Sequence, residues 1–378
     1  MTVRYVRVKP VVNLFAPAVR AYGNIAVVGT IALPKESPPD DPAQVNVPLD
    51  FTDPHEARRR APGDLGEAVA LAFEQSPGPS LVTAVRVDEE DLDWQAALDV
   101  VAGLDVQLVV LANTPLDATT GHIENPQGAL VTLAKHVASV SETGGEGKQR
   151  MGVAMLPKDS SKPDLVKGTL AHERMVYIAH RSDQDAAAAV AGTIAGHQPH
   201  ISLLLKPVNI TSPPFTQAQI GELNGPETFE SGPAGLGVNW LTSPSIIPGG
   251  GVYMGEGYTG NPGTTKYIDA MRTIDDLNFR LNAQLIRTIG NVRISRSGLR
   301  ALIARLEAVL APEVQNEVLN GFEVFVPLLT LLDKDPATLT PAEAGQIHDA
   351  EVRRMVQVMV AIHYAGAMHR LSLTMKFD

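Results

Sequence analysis

The chain has 378 residues, with 31 Lys and Arg against 42 Asp and Glu, for a formal net charge of −11. That balance excludes wrapping of nucleic acid, which needs clustered cations to replace phosphate counterions, and 44% hydrophobic residues exclude disorder as a description of the whole chain. Cysteine is absent, so disulfides, thiolate metal sites and a cysteine nucleophile are excluded too.

Residues 3–9 alternate, with Val6 and Val8 between Arg7 and Lys9, and read as an extended arm ended by Pro10. A buried strand is predicted over 24–31. Pro34, Pro38, Pro39, Pro42 and Pro48 make 33–50 an exposed loop. From there, helices over 64–75, 92–102, 127–141 and 183–196 alternate with apolar strands over 80–87, 107–112, 151–156 and 175–180, and 201–205 is a further apolar run before Pro207. Strands alternating with helices predict a largely parallel, helix-covered sheet. Residues 207–263 are rich in Pro and Gly and read as a surface linker, with a strand near 252–254.

The last third changes character. Tyr267, Met271, Ile274, Leu277 or Asn278, Leu281 and Leu285 recur at spacings of three and four, predicting an amphipathic helix over 265–289 with Tyr267, Met271, Ile274 and Leu281 in the core. A second helix is expected over 299–310, stopped before Pro312. Thr340-Pro-Ala-Glu343 is a capping box that starts another. Val356, Val358, Val360 and Ile362 alternate as a strand. Leu371, Leu373, Met375 and Phe377 alternate as a second, which runs to Asp378 without a polar tail.

Charge divides along the same line. Residues 1–265 hold 18 basic and 29 acidic residues, whereas 266–378 hold 13 of each. The longest apolar runs, such as 326–332, fall far short of the ~20 residues that cross a bilayer. The N-terminus lacks the apolar core of a signal peptide. The expectation is a soluble chain made in the cytoplasm, with no membrane insertion.

Signatures of catalysis are sparse. His172-Glu173 begins like a zinc protease motif, but Val176 stands where the second His belongs. His197 and His200 are at most half a metal site. The acidic run 89–93 suits the start of a helix. Pro248-Gly-Gly-Gly251 offers the alternative of an α/β enzyme that binds a nucleotide or phosphorylated ligand, although phosphate cradling needs a helix to follow.

Several segments, in order, resemble the contractile tail sheath family of phages and related injection machines. Asp64-Leu-Gly-Glu-Ala-Val-Ala-Leu-Ala-Phe73 followed by Val82-Thr-Ala-Val-Arg-Val87 is similar to the family's helix and "VVRV"-like strand. Leu204-Leu-Lys-Pro-Val-Asn209 resembles its "W-K-A-P-A-N" segment without the Trp. Residues 215–224 and Gly237-Val-Asn-Trp-Leu241 resemble the stretch before the inner domain. Gly249-Gly-Gly-Val-Tyr-Met-Gly-Glu-Gly-Tyr-Thr259 resembles "G-x-V-W-G-A-R-T", interrupted by Met254 and Glu256. Lys266-Tyr-Ile-Asp-Ala-Met-Arg272 resembles "Y-I-N-V-R-R", with Met271 for the first Arg.

The resemblance implies a structural protein and no enzyme, working without a cofactor or bound metal. It implies an α/β fold: an N-terminal arm over 1–22, an outer α/β domain over 23–256 with a helix-covered mixed sheet and a connecting segment over 207–256, and an inner α+β domain over 257–378. The inner domain would end in a C-terminal arm over 368–378. Copies of the chain would stack as a helical or ringed sheath around an inner tube protein, with baseplate and terminator proteins at the ends. The sheath would be assembled in the producing cell's cytoplasm as part of a virion tail or injection particle. Val3, Tyr5, Val6 and Val8, and Leu371, Leu373, Met375 and Phe377, would pair with neighbouring subunits. The inner-domain helix would meet the tube through Lys266, Arg272, Arg280 and Arg287.

Overall fold

Apolar runs too short for core helices become the parallel strands of one sheet. The structure is a computed structural model that describes residues 21–34, 39, 41–117, 128–142, 147–225, 236–261 and 267–370. The N-terminal arm with Val3, Tyr5, Val6 and Val8, the C-terminal strand with Leu371, Leu373, Met375 and Phe377, and Lys266 all lie outside the described residues. The described chain forms two compact units. One holds 21–276 and 366–370, and the other holds Leu277–Ala365.

The first unit contains β1 (Ile25–Gly29), β2 (Pro48–Phe51), α1 (Pro54–Arg60), α2 (Asp64–Phe73), β3 (Val82–Arg86), α3 (Trp94–Ala102), β4 (Leu108–Pro115) and α4 (Ala129–Glu142). It continues through β5 (Met151–Met155), β6 (Met175–Ala179), α5 (Ala186–Gly196), β7 (Pro207–Val208), α6 (Gln217–Asn224), β8 (Val238–Thr242), β9 (Val252–Met254) and the start of α7 (Ile268–Ile286). The sheet order is β2-β3-β1-β4-β5-β6-β8-β9-β7. Its centre, from β3 to β8, is parallel, and its margins at β2, β9 and β7 are antiparallel.

Both faces of the sheet are covered, which is why its strands read as unbroken apolar runs. Ile25, Val27, Leu108 and Val110 pack with α2 and α5 on one face. Ala26, Val28, Val109 and Leu111 pack with α3 and α4 on the other. In α5, every residue from Ala186 to Ala195 is buried, so its small side chains let the backbone lie close to its neighbours.

The C-terminal end of α3 is closed by a buried cation. Arg150 is fully buried, and its guanidinium donates to the carbonyls of Val101 at 2.7 Å, Leu104 at 3.0 Å and Lys148 at 3.1 Å. Carbonyls at the end of a helix lack intrahelical donors and carry partial negative charge, so a cation there answers both needs. His136 lies against the same guanidinium. Burial, reinforced by the Arg150 charge, lowers its pKa to about 4. The unfolded chain therefore takes up a proton near pH 6.5 that the folded chain refuses, and stability falls as pH drops from there towards 4. At ~1.4 kcal/mol per pKa unit the loss reaches about 3 kcal/mol. Urea midpoints measured from pH 7 to 4 should show this loss in the parent and a smaller one in His136→Gln. Parallel profiles would refute the assignment.

Leu277 marks a division that the sequence placed at 256/257. Ile268 and Met271 are buried in the core beneath the sheet, so α7 begins in the first unit. From Leu277 on it belongs to the second, with α8 (Arg296–Gln315), β10 (Leu319–Phe325), α9 (Pro327–Leu332), α10 (Pro341–Arg353) and β11 (Met359–Tyr364). Leu277, Leu310, Val318 and Leu319 form one small core there, and Leu299, Val326 and Leu328 another.

Other expectations are also corrected. The segment read as a linker holds α6 and β8, and the loop read over 33–50 ends in β2. Helix α8 passes through Pro312, because Leu310 and Val314 on either side pack into the small core around Leu277. The strand read from Val356 starts at Met359, and Val356 and Val358 pack against the Leu299 core instead. Ile274, assigned to the core, is 54% exposed.

Candidate assembly surfaces and anchor points

The enzyme alternative has two places to succeed. The first is the glycine loop. Gly249, Gly250 and Gly251 all have positive φ, at 95°, 67° and 132°, which glycine adopts readily. They turn the chain from β8 into the antiparallel β9, and no helix N-terminus follows to hold a phosphate. The second is the crevice at the carboxyl ends of the parallel strands, where order reverses around β1 and ligands bind in open α/β sheets. Here it is lined by Asp64, Glu67, Glu74, Asp183 and Asp185, with Arg58 opposing them. Arg58 is paired with Glu67 at 2.9 Å and Glu74 at 2.7 Å. Asp185 caps α5 through Ala188 N–H at 2.9 Å and accepts from Asn113 N–H at 2.7 Å. A carboxylate-lined crevice whose cation is already paired repels phosphate.

The remaining motifs resolve into local structure. His172 accepts from Arg174 N–H at 3.0 Å within a turn. His197 caps α5, with Nδ1 2.8 Å from the Thr193 carbonyl. Asp93, from the acidic run, caps α3 by accepting from Ala96 N–H at 2.9 Å. Among the described residues, no group of three or more His, Asp or Glu is disposed to hold a metal, and no helix is long and apolar enough to cross a membrane.

The helix cations predicted to meet a tube do not form one row. Arg272 is 6% exposed, and its Nη2 donates to the carbonyls of His197 at 2.9 Å and Tyr22 at 3.1 Å. Burial lowers its pKa to about 10. Expecting it on a surface assumed one solvated face, but the first turns of α7 are enclosed around most of their circumference. Arg280 is half-buried and pairs with Glu313 at 2.6 Å. Arg287 is exposed, next to Ile286 and near Ile289, which are 70% and 76% exposed.

The second unit carries a surface that sequence reading missed. β10 and β11 pair antiparallel, and among the described residues they form a sheet of two. Phe322, Val324, Val360 and Tyr364 pack towards the Leu277 core. On the other face Phe325 lies opposite Met359, 47% and 45% exposed. Two strands alone are marginal in water, and a free sheet edge is a template for another strand. The alternation of polar and apolar residues across β10 was the available signal.

No protein-family model matches the chain, and no curated protein matches its sequence. Solved structures do match. The sheath complex of an extracellular contractile injection system, PVC, in the contracted state is 12% identical with a TM-score of 0.66, over 100% of this chain and 98% of that one. The chain has the contractile-sheath fold. The anti-feeding prophage (AFP) helical sheath in its contracted state, 14% identical, and a chain of the 6-fold symmetrised AFP baseplate, 13% identical, both give 0.63 over 100% of this chain and 99% of theirs. Both units of this chain are therefore part of the sheath fold. Identity this low is compatible with a shared fold because burial and strand pattern, more than particular residues, specify the sheet.

Proposed function

We propose that the chain is a structural subunit of a contractile sheath that polymerises around an inner tube and drives it through a target envelope. The observation that carries this reading is the end-to-end likeness to chains of contracted sheaths, in both directions of coverage. It is supported by the two-stranded sheet of the second unit. Residues 3–8 and 371–377 have the alternation of strands that would extend the β10–β11 sheet of a neighbouring copy. The partners are then further copies of the chain, an inner tube protein, and baseplate and terminator proteins. No catalysis is assigned to the crevice or the glycine loop. For the tube contact, Arg287 with exposed Ile286 and Ile289 is the better candidate, and Lys266 stays a candidate from sequence. Exposed charges give weak, screened contacts, which suit an interface that must release.

Co-expression with its tube protein should give hollow tubular polymers of two lengths by electron microscopy. Deleting 1–9 or 370–378 should abolish tubes while leaving the 21–276 unit folded. A strictly monomeric product overturns the sheath reading, and normal tubes from both deletions overturn the arm assignment.

A further inference from the structure

Residues 366–370 bring the chain back from the second unit to the first. They form no helix or strand, and 366–368 are exposed, Met368 by 75%. Apolar burial therefore does not hold this stretch. His369 is the residue that turns inwards, 11% exposed. Its Nε2 lies 2.8 Å from Ser202 Oγ, in the connection between α5 and β7. Its Nδ1 lies 3.2 Å from Glu256 Oε2, in the segment after β9. The imidazole also meets the Tyr267 ring edge-on, with centroids 4.8 Å apart and planes at 70°. Tyr267 in turn contacts Tyr258 at 5.5 Å.

We propose that His369 is a titratable clamp that roots the start of the C-terminal segment on the 21–276 unit through Ser202 and Glu256. The groups acting on it are Glu256 from the segment after β9, Tyr267 and Asp269 from the start of α7, and Ser202, with Arg370 next to it in its own segment. The carboxylates of Glu256 and Asp269 favour the imidazolium, and the hydrogen bond to Glu256 does most to raise the pKa. Ser202 serves either charge state, because a hydroxyl accepts from the imidazolium and donates to the neutral ring. Deprotonation thus replaces an imidazolium–carboxylate ion pair with a neutral imidazole N–H that donates to the same Glu256 carboxylate, without breaking the geometry. A docked imidazole with a raised pKa binds its proton more tightly than an undocked one. The extra hold is complete below the ordinary value of 6.5 and is lost as pH rises through the raised value. The clamp does not depend on the sheath reading. Where that reading holds, pH sets how firmly the C-terminal arm is anchored during assembly.

Hydrogen exchange on the full-length chain tests this, read on peptides covering 366–370 and corrected for intrinsic exchange. From about pH 5.5 to about pH 8.5, protection should fall roughly fivefold, as the imidazolium charge is lost from its bond to the Glu256 carboxylate. His369→Gln should be flat across that range, and Glu256→Gln should lose most of the slope. Tryptophan fluorescence checks that each variant is folded. Should His369→Gln fail to fold, Glu256→Gln alone decides. A flat parent profile, or a parent-like slope in the folded variants, overturns the clamp. Tube formation is not needed for the measurement, so its failure and failure of the sheath reading are distinguishable.

Discussion

Replacing Arg150 with Met is expected to destabilise the 21–276 unit by about 2–4 kcal/mol. Three carbonyls, of Val101, Leu104 and Lys148, lose the Arg150 donor; Val101 keeps its bond from Leu104 N–H, and the Leu104 and Lys148 carbonyls are part-buried. Removing a buried charge returns part of its desolvation cost, which keeps the loss below the sum of three charge-assisted bonds. Arg150→Lys should recover less than half, since an ammonium cannot span the separated carbonyls that the guanidinium fork reaches. The two tryptophans of the chain, Trp94 and Trp240, both lie in this unit, so fluorescence-monitored urea unfolding reads its stability directly. The His136 pKa should rise in Arg150→Met but remain below the ordinary value, because burial is the larger cause of its depression. A loss under about 1 kcal/mol would show that the α3 carbonyls find other donors.

The parallel strands were legible because both faces are buried: Ile25–Gly29 and Met175–Ala179 each show five buried residues in a row. The capping box at Thr340 and Glu343 was legible because its bonds are local, three residues apart. Segments stabilised by distant partners were hidden. Strand β8 is stitched in by Asn239, whose side chain bonds the carbonyls of Tyr177 and Tyr258 and the N–H of Tyr258, so nothing in its own few residues marks it. Arg272 was misplaced for the same reason, because its carbonyl partners at Tyr22 and His197 are far away in sequence. His369 carried no signal at all: its partners, Ser202 and Glu256, lie 167 and 113 residues away. The resemblance to sheaths rested on several short sequence segments taken in chain order, and it did not require any of these distant contacts to be placed.

The same substitution should have opposite signs at two helical glycines. In α5, a Cβ on Gly192 would stand 2.3 Å from the Ala72 carbonyl oxygen and 2.8 Å from the Ala72 Cα, both backbone atoms of α2. Backbone cannot rotate away as a side chain can, so Gly192→Ala requires the two helices to separate. Helix propensity alone predicts a gain of about 1 kcal/mol. Overpacking in a closed core costs about 1–3 kcal/mol, and here α5 is buried along its length, which places the outcome at the upper end. The expected net change is a loss of about 1–2 kcal/mol, read by tryptophan fluorescence. In α10, Gly345 is exposed, and a Cβ there would meet nothing within 4 Å. Only propensity and unfolded-state entropy act, so Gly345→Ala should stabilise α10 by about 0.5–1 kcal/mol, read by hydrogen exchange of that helix. If both variants gain stability, the close approach of α5 to α2 is wrong. If both lose it, α10 is not a solvated helix in solution.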